Sequence, residues 1–535
     1  MNPFLRSVTD RNTDAMAVPT TAPIDLSAAM VMAPTALADW LVIAPMALMI
    51  TLGAVLMMVR HRIWLHGWIA IPGLVALVLM EGLLVYRVAV DGPFTMTAGR
   101  WLPPFGISFT ADLMGSLLAL ASGLVALAAG IYGLRDIDAT GRRYGFYPFL
   151  LLLMAGVTGA FLTGDIFNLY VWFEVLLISS FGLLILGSER QQIDGALKYA
   201  VLNLLGTTLF LIAVGYVYAI FGTLNMADIA RQANDYRGTA PLMTLSALFI
   251  LAFAMKAAAF PVNFWLPASY HTPRIVVSAL FGGLLTKVGV YALMRVMVML
   301  FPVEREQLSF LLAIIAALTM VIGALGALAQ SDLRRMAGFA VIAGIGNIIA
   351  GVAIGGVPGV SGAILYSLHS IIVMTALYLL IGEAARIGGS WSLQTLGGLY
   401  RDAPWIAAAA FVIFFAAAGL PPFSGLWPKI ILLKAALDIG AWWLSAAILI
   451  SALILTLTLG RVFLLAFWRP RIEPSAVPSA AGALQRSAPL AGLVAIIVFF
   501  GIFPDLPVRL SQEAAATLAD PRAYIQSVFP TGGAE

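Results

Sequence analysis

The side chains best suited to chemistry in this sequence are a few charges set inside apolar stretches. Glu174 stands in NLYVWFEVLLISS, residues 168–180, and Lys256 stands in FAMKAAAFPVNFWLP, residues 253–267. Inside a lipid bilayer each such charge costs roughly 2.5–3.5 kcal/mol, so a buried charge marks a functional site by default. A carboxylate beside an ammonium favours both charged forms while desolvation disfavours them, so a small movement can change protonation. These residue types therefore predict a site of proton exchange.

Three further ionisable side chains stand at comparable depth. They are Lys287 in ALFGGLLTKVGVYALMRV, His369 in LYSLHSII and Lys429 in GLPPFSGLWPKIILLKAAL. Together with Glu174 and Lys256 they form the predicted proton path. Structural roles stay open as alternatives. Glu174 and Lys256 can clamp two helices, the Lys287 amine can satisfy free carbonyls of a broken helix, and His369 can be a packed, hydrogen-bonded residue.

A second group lies nearer the ends of the apolar stretches. His271 in SYHTPR is a candidate gate, and Lys434 and Arg461 are candidate outlet residues. Both of the latter have an alternative role, in which the long side chain reaches the lipid headgroups. Asp112 and Asp165 are candidate cation or auxiliary ligands, because they are the remaining oxygen donors near the spans. Asp112 can alternatively cap or anchor a helix.

Other chemistry finds little support in the sequence. The four histidines lack metal-ligand spacing, cysteine is absent, and no phosphate-binding loop stands out. We therefore predict no metal, no cofactor and no enzymatic activity. Glu81 precedes Arg87 by about one and a half helical turns, which favours a structural ion pair between them.

The elements that must hold these residues follow from composition. Of 535 residues, 61% are hydrophobic and 10% are charged, whereas a soluble domain carries about 25% charged residues. Each membrane crossing needs about 20 apolar residues. The apolar runs therefore predict an all-α polytopic membrane protein with about fourteen transmembrane helices. The formal net charge of +4 bears on membrane orientation and does not indicate nucleic-acid binding.

The predicted spans group into five segments. These are a mobile N-terminal extension or misassigned start over 1–38, helices 1–3 over 39–145, a first repeat of helices 4–8 over 146–300, a second repeat of helices 9–13 over 308–467, and a final helix with a C-terminal tail over 487–535. Counted over the loops and termini, Lys and Arg divide fifteen against ten between the two sides. The positive-inside rule then places both termini outside the cytoplasm.

Two predicted spans are broken by proline. The seventh contains Pro261 just after Lys256, and the twelfth contains Pro421 just before Lys429. These two lysines are 173 residues apart, and the same offset carries Glu174 onto Asn347. Interrupted spans at corresponding places in two halves are typical of transporter sites. Two repeats of five helices must have opposite orientations, so the sequence predicts an inverted repeat.

At this point the sequence resembles a known family. TGDIFNLYVWFEVLLISSFGLLIL, GTLNMADIA and LLTKVGVYALMR are similar to the antiporter-like proton-channel proteins. This family includes the large membrane-arm subunits of respiratory complex I and the A-type and D-type subunits of Mrp antiporters, also called Pha or Mnh. The similarity covers roughly residues 39–470. The second and third of these motifs, and a lysine at position 429, resemble the D-type subunits most.

The resemblance implies roles for individual residues. It implies that Glu174 is the fifth-span glutamate and that Lys256 and Lys287 are the lysines of the seventh and eighth spans. It also implies that Lys429 is the lysine of the broken twelfth span, at the outlet of the second half-channel. Histidines of the family often stand near the end of the seventh helix and in the eleventh helix, as His271 and His369 do.

The resulting hypothesis is a proton-translocating D-type subunit of a multisubunit Na⁺(K⁺)/H⁺ antiporter in a bacterial cytoplasmic membrane. The resemblance implies partner subunits of the A, B, C, E, F and G types, with proton entry coupled to the efflux of Na⁺ or K⁺. Two alternatives stay open. One is a proton-pumping membrane subunit of a complex I-like or hydrogenase redox complex. The other is a non-transporting assembly scaffold whose charges only hold partners.

Overall fold

The structure is a computed structural model that describes residues 35–471 and 483–530, together with Met30. Most of the predicted extension over 1–38 and the last residues of the predicted tail lie outside the described residues. The N-terminal helices are α1 Ala44–Met58, α2 Ile63–Asp91, α3 Leu113–Asp136, α4 Ala139–Arg143, α5 Phe146–Leu162, α6 Ile166–Leu184, α7 Arg190–Phe221 and α8 Met226–Gln232. Short 3₁₀ turns cover Leu37–Val42 and Ala98–Arg100.

The remaining helices follow in sequence order. They are α9 Leu242–Ala257, α10 Trp265–Ser269, α11 Ile275–Leu280, α12 Thr286–Met294, α13 Pro302–Gln307, α14 Ser309–Ala329, α15 Leu333–Ile354, α16 Gly356–Gly388, α17 Leu399–Asp402, α18 Pro404–Ala418, α19 Leu426–Asp438, α20 Trp442–Val462, α21 Ala483–Ile502, α22 Asp505–Ala519 and α23 Arg522–Val528. Turns with π-helical hydrogen bonding cover Phe281–Leu285, Arg295–Leu300 and Phe463–Trp468.

The long helices have the length and composition of membrane spans. In the described part of the chain nine qualify: Ile63–Asp91, Leu113–Asp136, Ile166–Leu184, Arg190–Phe221, Ile275–Leu300, Ser309–Ala329, Leu333–Ile354, Gly356–Gly388 and Trp442–Trp468. Four shorter apolar helices accompany them: Ala44–Met58, Phe146–Leu162, Leu242–Ala257 and Pro404–Ala418. The prediction of a mostly helical, polytopic membrane-type protein is confirmed.

The predicted all-α fold is interrupted by one short β-hairpin, which the sequence analysis did not predict. Strands β1 Phe94–Thr97 and β2 Ser108–Ala111 pair in an antiparallel hairpin, with Phe94 opposite Ala111. Phenylalanine and β-branched threonine favour extended backbone, and the two short segments satisfy each other's peptide groups. The second strand ends where Asp112 accepts a hydrogen bond from the Gly115 amide at 2.9 Å, which caps α3.

Two helices form the centre of the bundle. The continuous stretch Ile275–Leu300 and the helix α16 are buried along almost their whole length, whereas α2, α7 and α20 expose wide apolar faces. In a membrane such faces meet lipid or other subunits, because hydrocarbon solvates them as well as a core does. The central pair carries Lys287 and His369, so these two side chains lie far from the lipid-facing surface.

Two interruptions bring backbone carbonyls into the centre. Helix α9 ends at Ala257, where Ala258 takes a left-handed conformation with φ +58°, and α10 begins only at Trp265. Helix α18 ends at Ala418 and α19 begins at Leu426. Proline-containing segments cannot continue the helical hydrogen bonds, so carbonyls at both breaks lack their intrahelical partners.

The C-terminal segment continues beyond the last apolar helix. Its chain turns by 80° between Ser487–Ile502 and Asp505–Ala519. Helix α22 packs against α3 and α16, and α23 packs against β1, β2 and α8. The Thr95 and Ser527 hydroxyls lie 2.9 Å apart, which joins the hairpin to α23.

Candidate functional site

Lys287 is fully buried at the π turn of the central helix. Its Nζ donates a hydrogen bond to the Gly282 carbonyl oxygen at 2.6 Å. A π turn shifts the hydrogen-bond register and leaves a carbonyl free to accept from a side chain. The glycines of FGGLL let neighbours approach closely, since a Cβ on Gly283 would lie 2.1 Å from Thr375 Oγ1. This contact is the one that the structural alternative for Lys287 predicts.

Lys429 makes an equivalent contact at the second helix interruption. Its Nζ donates to the Ala418 carbonyl oxygen at 2.5 Å, at the last residue of α18. Gly419 has φ +84°, and a Cβ there would lie 2.4 Å from Lys429 Cδ. Glycine is therefore required at this position for two reasons. The backbone has a left-handed conformation, and the aliphatic part of the Lys429 side chain occupies the space that a Cβ would need.

His369 connects the central helix α16 to the same interruption. Its Nδ1 lies 3.0 Å from Ser424 Oγ, in the segment between α18 and α19. The ring packs edge-on against Tyr366, with centroids 5.6 Å apart. Both Lys287 and Lys429 are close enough for their charges to act on the imidazole. The histidine therefore lies within electrostatic reach of both lysine sites.

Lys256 occupies the last turn of α9 beside the first interruption. Its side chain is buried, and its Nζ lies 5.6 Å from the centroid of the Phe173 ring. No described residue forms a hydrogen bond or a contact ion pair with this ammonium. The Glu174 charge acts on it from a greater distance, and Glu174 Oε1 is buried without a hydrogen-bond partner. The described contacts therefore do not include the contact clamp that the structural alternative for Glu174 and Lys256 predicts.

Glu174 also lies on the outward side of its helix. The exposed residues of α6 are Phe167, Val171 and Ile178, and exposed Ile185 follows directly after the helix. Their spacing places Glu174, which is itself partly exposed, on the same stripe. Oε1 is buried within the chain, and the exposed part of the carboxylate is costly in a membrane unless another protein surface covers it.

His271 lies outside the spans, between α10 and α11. Its Nδ1 is 2.9 Å from the Pro267 carbonyl oxygen and its Nε2 is 3.2 Å from Arg335 NH2. Because a guanidinium can only donate, His271 Nε2 accepts the hydrogen bond from Arg335. His271 Nδ1 therefore carries a hydrogen and donates it to the Pro267 carbonyl oxygen. Burial, with the nearby Arg335 charge, lowers the pKa of His271 below its usual value.

A cavity of about 720 Å³ surrounds this histidine. Its polar lining includes Lys198, Asp332, Arg334 and Arg335. The cavity joins residues of the two predicted repeats, because His271 belongs to the first and Arg335 to the second. Its lining also includes Phe264 and Pro267, so it borders the segment that follows Lys256.

Lys434 and Arg461 lie apart from the buried set. The Lys434 ammonium is exposed and pairs with Asp438 at 2.8 Å, one helical turn away. Arg461 is exposed and donates to the Leu328 carbonyl oxygen at 2.8 Å. These contacts are of the surface type, and neither side chain approaches the central lysines or His369 through a described hydrogen bond.

Asp112 and Asp165 both cap helices. Asp165 accepts from the Asn168 amide at 2.7 Å at the start of α6. Asp112 caps α3 and also pairs with Arg295 NH1 at 2.7 Å, with both side chains almost completely buried. Both Asp112 oxygens are thus engaged by protein donors, which leaves little coordination capacity for a cation.

Arg295 is a buried charge, although the sequence analysis counts it among the charges of loops, termini and span ends. It belongs to the π turn that extends α12, and its NH2 donates to Tyr291 Oη at 3.1 Å. The signal was the spacing of Lys287, Tyr291 and Arg295, four residues apart, which places all three on one helix face. An arginine at that spacing from a buried lysine belongs to the interior.

The predicted Glu81–Arg87 ion pair is wrong. Arg87 pairs with Asp39 at 2.7 Å, and Glu81 accepts from Thr158 Oγ1 at 2.9 Å. Helix α2 turns Glu81 inward against α3 and α5, because an offset of six residues puts Glu81 and Arg87 on different faces.

Glu383, near the end of α16, is another buried carboxylate that the sequence left unremarked. It accepts from Tyr132 Oη at 2.9 Å and pairs with Arg386 at 2.7 Å. Within residues 35–471 and 483–530, no three His, Asp or Glu side chains are grouped to hold a metal ion.

Comparisons with known proteins address the same region. The family model described as "NADH:quinone oxidoreductase/Mrp antiporter, TM" matches residues 163–455. The chain is 37% identical over 457 residues to the D-type Na⁺/H⁺ antiporter subunit of Alkalihalophilus pseudofirmus, and the match covers 85% of this chain and 92% of that protein.

Solved structures agree with this assignment. A chain of the Mrp complex from Dietzia sp. superposes with a TM-score of 0.84 at 29% identity, over 92% of this chain and 99% of that one. A chain of respiratory complex I from Thermus thermophilus superposes with a TM-score of 0.78 at 25% identity, over 89% and 99%. The model match, the identity and the shared fold together show that this chain belongs to the NADH:quinone oxidoreductase/Mrp antiporter family of membrane proteins.

Proposed function

We propose that this chain is the D-type subunit of a multisubunit Na⁺/H⁺ or K⁺/H⁺ antiporter in a bacterial cytoplasmic membrane. The name of the A. pseudofirmus relative supports this role, since the two chains match over most of their lengths. The observation that carries the proposal is a buried set of amines at helix irregularities. Lys287 and Lys429 each hold a backbone carbonyl, and His369 lies within reach of both charges.

The proposed proton path runs through Glu174, Lys256, Lys287, His369 and Lys429. Lys256 suits exchange because no described group fixes its proton. The contacts of Lys287 and Lys429 tolerate a change of charge, because a neutral amine still has N–H groups to donate to a carbonyl and gains a lone pair. Water would link the groups, as in other intramembrane relays of ionisable residues.

The proposed topology has fourteen crossings with both termini outside the cytoplasm. In the described residues, the nine long helices, the four shorter apolar helices and α21 supply that number. The shorter helices α9 and α18 would be completed by α10 and α19 beyond their interruptions. We further propose that helices 4–8 and 9–13 form the two inverted repeats, which would put Lys256 and Lys429 in corresponding positions.

The proposed partners are the A, B, C, E, F and G types of antiporter subunit. Support comes from the outward stripe of α6, on which Glu174 stands among exposed apolar side chains. A neighbouring subunit that covers this stripe would remove the cost of a carboxylate facing lipid. The transported cation is Na⁺ or K⁺, and the full complex would carry it.

The test uses the complete set of antiporter genes in everted membrane vesicles. Glu174→Gln and Lys256→Ala are expected to abolish cation-dependent proton movement while the amount of assembled complex stays unchanged. Lys434→Gln is the matched control, because its ammonium is exposed and paired at the surface. Full antiport in either interior variant would overturn the path. Loss of assembly in both would favour the scaffold alternative.

A redox-driven pump is the second candidate, and the similarity to the complex I chain favours it. In such a complex, proton movement needs an electron donor and persists without an alkali cation gradient. Vesicles supplied with an imposed Na⁺ or K⁺ gradient and no donor separate the two functions. Proton movement under those conditions supports antiport, and its absence there with donor-driven movement supports the redox alternative.

A further inference from the structure

A narrow apolar groove lies between α18 and the end of α20. Its volume is about 330 Å³, and its walls include Phe411, Phe415, Phe463 and Trp468. The aromatic walls are packed against one another, with Phe411 and Phe415 centroids 4.1 Å apart and the Phe463 ring meeting Trp468 edge-on at 6.4 Å. These mutual contacts hold the groove open as a shaped surface, because each ring restricts its neighbour.

The length and the lining of the groove suit an extended alkyl chain. Along α20 and its π turn it extends from Thr456 to Trp468, which is about 18 Å at 1.5 Å per residue. That length is close to the roughly 15 Å depth of one leaflet of the hydrocarbon core. Among its lining side chains only those of Thr456 and Trp468 carry a polar atom, so the groove suits an apolar occupant. A single extended alkyl chain fits.

Gly460 keeps this space free. It lies inside α20, and a Cβ at this position would meet no atom within 4 Å. Glycine within a helix costs about 1 kcal/mol relative to alanine. At many other glycines of this chain a neighbour fills the vacated space, as Phe339 does at Gly326. At Gly460 no part of the described chain does, so the space is available to another molecule.

The shallow end of the groove has the features of a headgroup site. Trp468 is exposed there, and α17 packs against the π turn that ends at this tryptophan. On α17, Arg401 is exposed and forms no ion pair with a described residue. Nearby Arg469 is already engaged by the Leu396 carbonyl and Arg471 by Asp402. Interfacial tryptophan with a free arginine suits a phosphate at the membrane surface.

The deep end of the groove reaches the second helix interruption. Its last lining residues on α18 and beyond are Ala418 and Leu420. Ala418 is the residue whose carbonyl oxygen accepts the Lys429 hydrogen bond. An occupant would therefore pack against the backbone that positions Lys429 and would keep water from reaching it through the lipid-facing side.

We propose that this groove binds one acyl chain of an anionic phospholipid, with the lipid phosphate at Arg401. The predicted orientation puts Arg401 on the cytoplasmic side, where anionic lipids are enriched and a basic residue near the surface attracts them. The site rests on the groove, on Arg401 and on the predicted orientation, so it does not depend on the antiport activity.

The experiment uses the whole complex reconstituted in phosphatidylcholine vesicles with a trace of phosphatidylglycerol that carries a diazirine in its acyl chain. After illumination, cross-linked peptides are mapped by mass spectrometry. Labelling is expected to concentrate in residues 411–420 and 456–468. Gly460→Leu fills the groove and is expected to lower that labelling about ten-fold. Gly215→Leu on α7 is the matched control, because a Cβ there also meets no atom within 4 Å.

The headgroup is tested separately. Arg401→Gln is expected to reduce labelling by phosphatidylglycerol several-fold and to leave labelling by a diazirine phosphatidylcholine unchanged. If Gly460→Leu fails to assemble, Leu464→Trp enlarges an exposed lining residue and provides the same test. Labelling spread evenly over the lipid-facing helices, or equal labelling in the filled and unfilled grooves, would overturn the site. If labelling by both lipids fell equally in Arg401→Gln, the proposed preference for an anionic headgroup would be wrong.

Discussion

Asp112 and Arg295 form an ion pair of 2.7 Å in which both side chains are almost fully buried. The pair joins the start of α3, just after the β-hairpin, to the extended helix that carries Lys287 two turns away. Arg295 also donates to Tyr291 and faces the Tyr524 ring of α23 at 5.2 Å. One buried charge pair thus connects the hairpin, the central helix and the C-terminal helix.

Removing one member of this pair should destabilise the protein strongly. Arg295→Met leaves the Asp112 carboxylate buried without its cation, and such a loss typically costs about 3–5 kcal/mol. The measurement is the thermal inactivation temperature of the purified complex. Asp112→Asn combined with Arg295→Met should recover part of the loss, because it removes the uncompensated charge. A double variant less stable than the Arg295 variant would contradict this explanation.

A methyl group at Gly419 should displace Lys429. Alanine there must adopt φ +84° and would place its Cβ 2.4 Å from the lysine Cδ, so we expect antiport to fall roughly five- to 150-fold, for a cost of about 1–3 kcal/mol. Gly440→Ala is the control, since that residue also has a left-handed φ but open space around it. Equal transport defects in the two variants would show that backbone conformation alone matters.

The hydroxyl of Ser424 should matter through His369. Ser424→Ala removes the partner of His369 Nδ1 at 3.0 Å, and a lost hydrogen bond of about 0.5–1.5 kcal/mol corresponds to a two- to ten-fold decrease in antiport rate. Ser451→Ala is a suitable control, because that buried hydroxyl bonds only to its own helix at Ile448. Unchanged transport in the Ser424 variant would show that this hydrogen bond of His369 does not contribute to the proton path.

The stability of the complex should depend on pH through His271. Burial and the nearby Arg335 and Arg334 charges lower its folded pKa, while the Pro267 carbonyl and Asp332 act in the opposite direction. The unfolded chain therefore binds more protons than the folded chain below pH about 6.5. With respect to His271, the free energy of unfolding is therefore highest above pH about 6.5. It decreases as the pH falls from there toward the folded pKa.

His271→Gln should therefore flatten the decline of thermal stability between pH 8 and about pH 5. His61→Gln, in the exposed loop between α1 and α2, provides the comparison. A His271 variant whose stability falls with acid as steeply as that of the unchanged protein would show that other groups dominate this range.

The amino-acid sequence alone was enough to predict the class of protein and the inventory of the candidate site. Apolar runs of about 20 residues are a local property, and so are charges within them and prolines that end a helix. For this reason apolar spans and the interruptions beside Lys256 and Lys429 could be predicted from one chain, while the family was predicted from the resemblance of its motifs. The positions of Glu174, Lys287 and His369 within spans required no knowledge of their neighbours.

The partners of these side chains emerged only from the packing of the helices. Glu81 accepts from Thr158, 77 residues away, and not from Arg87, six residues away, while Arg295 turned out to be interior and paired with Asp112. The hairpin, the outward face of Glu174 and the groove beside Gly460 were likewise invisible in the sequence. The physical reason is that hydropathy and helical periodicity fix only which residues enter the membrane. Which polar group meets which depends on how the helices rotate and pack, and that is set by contacts between distant segments.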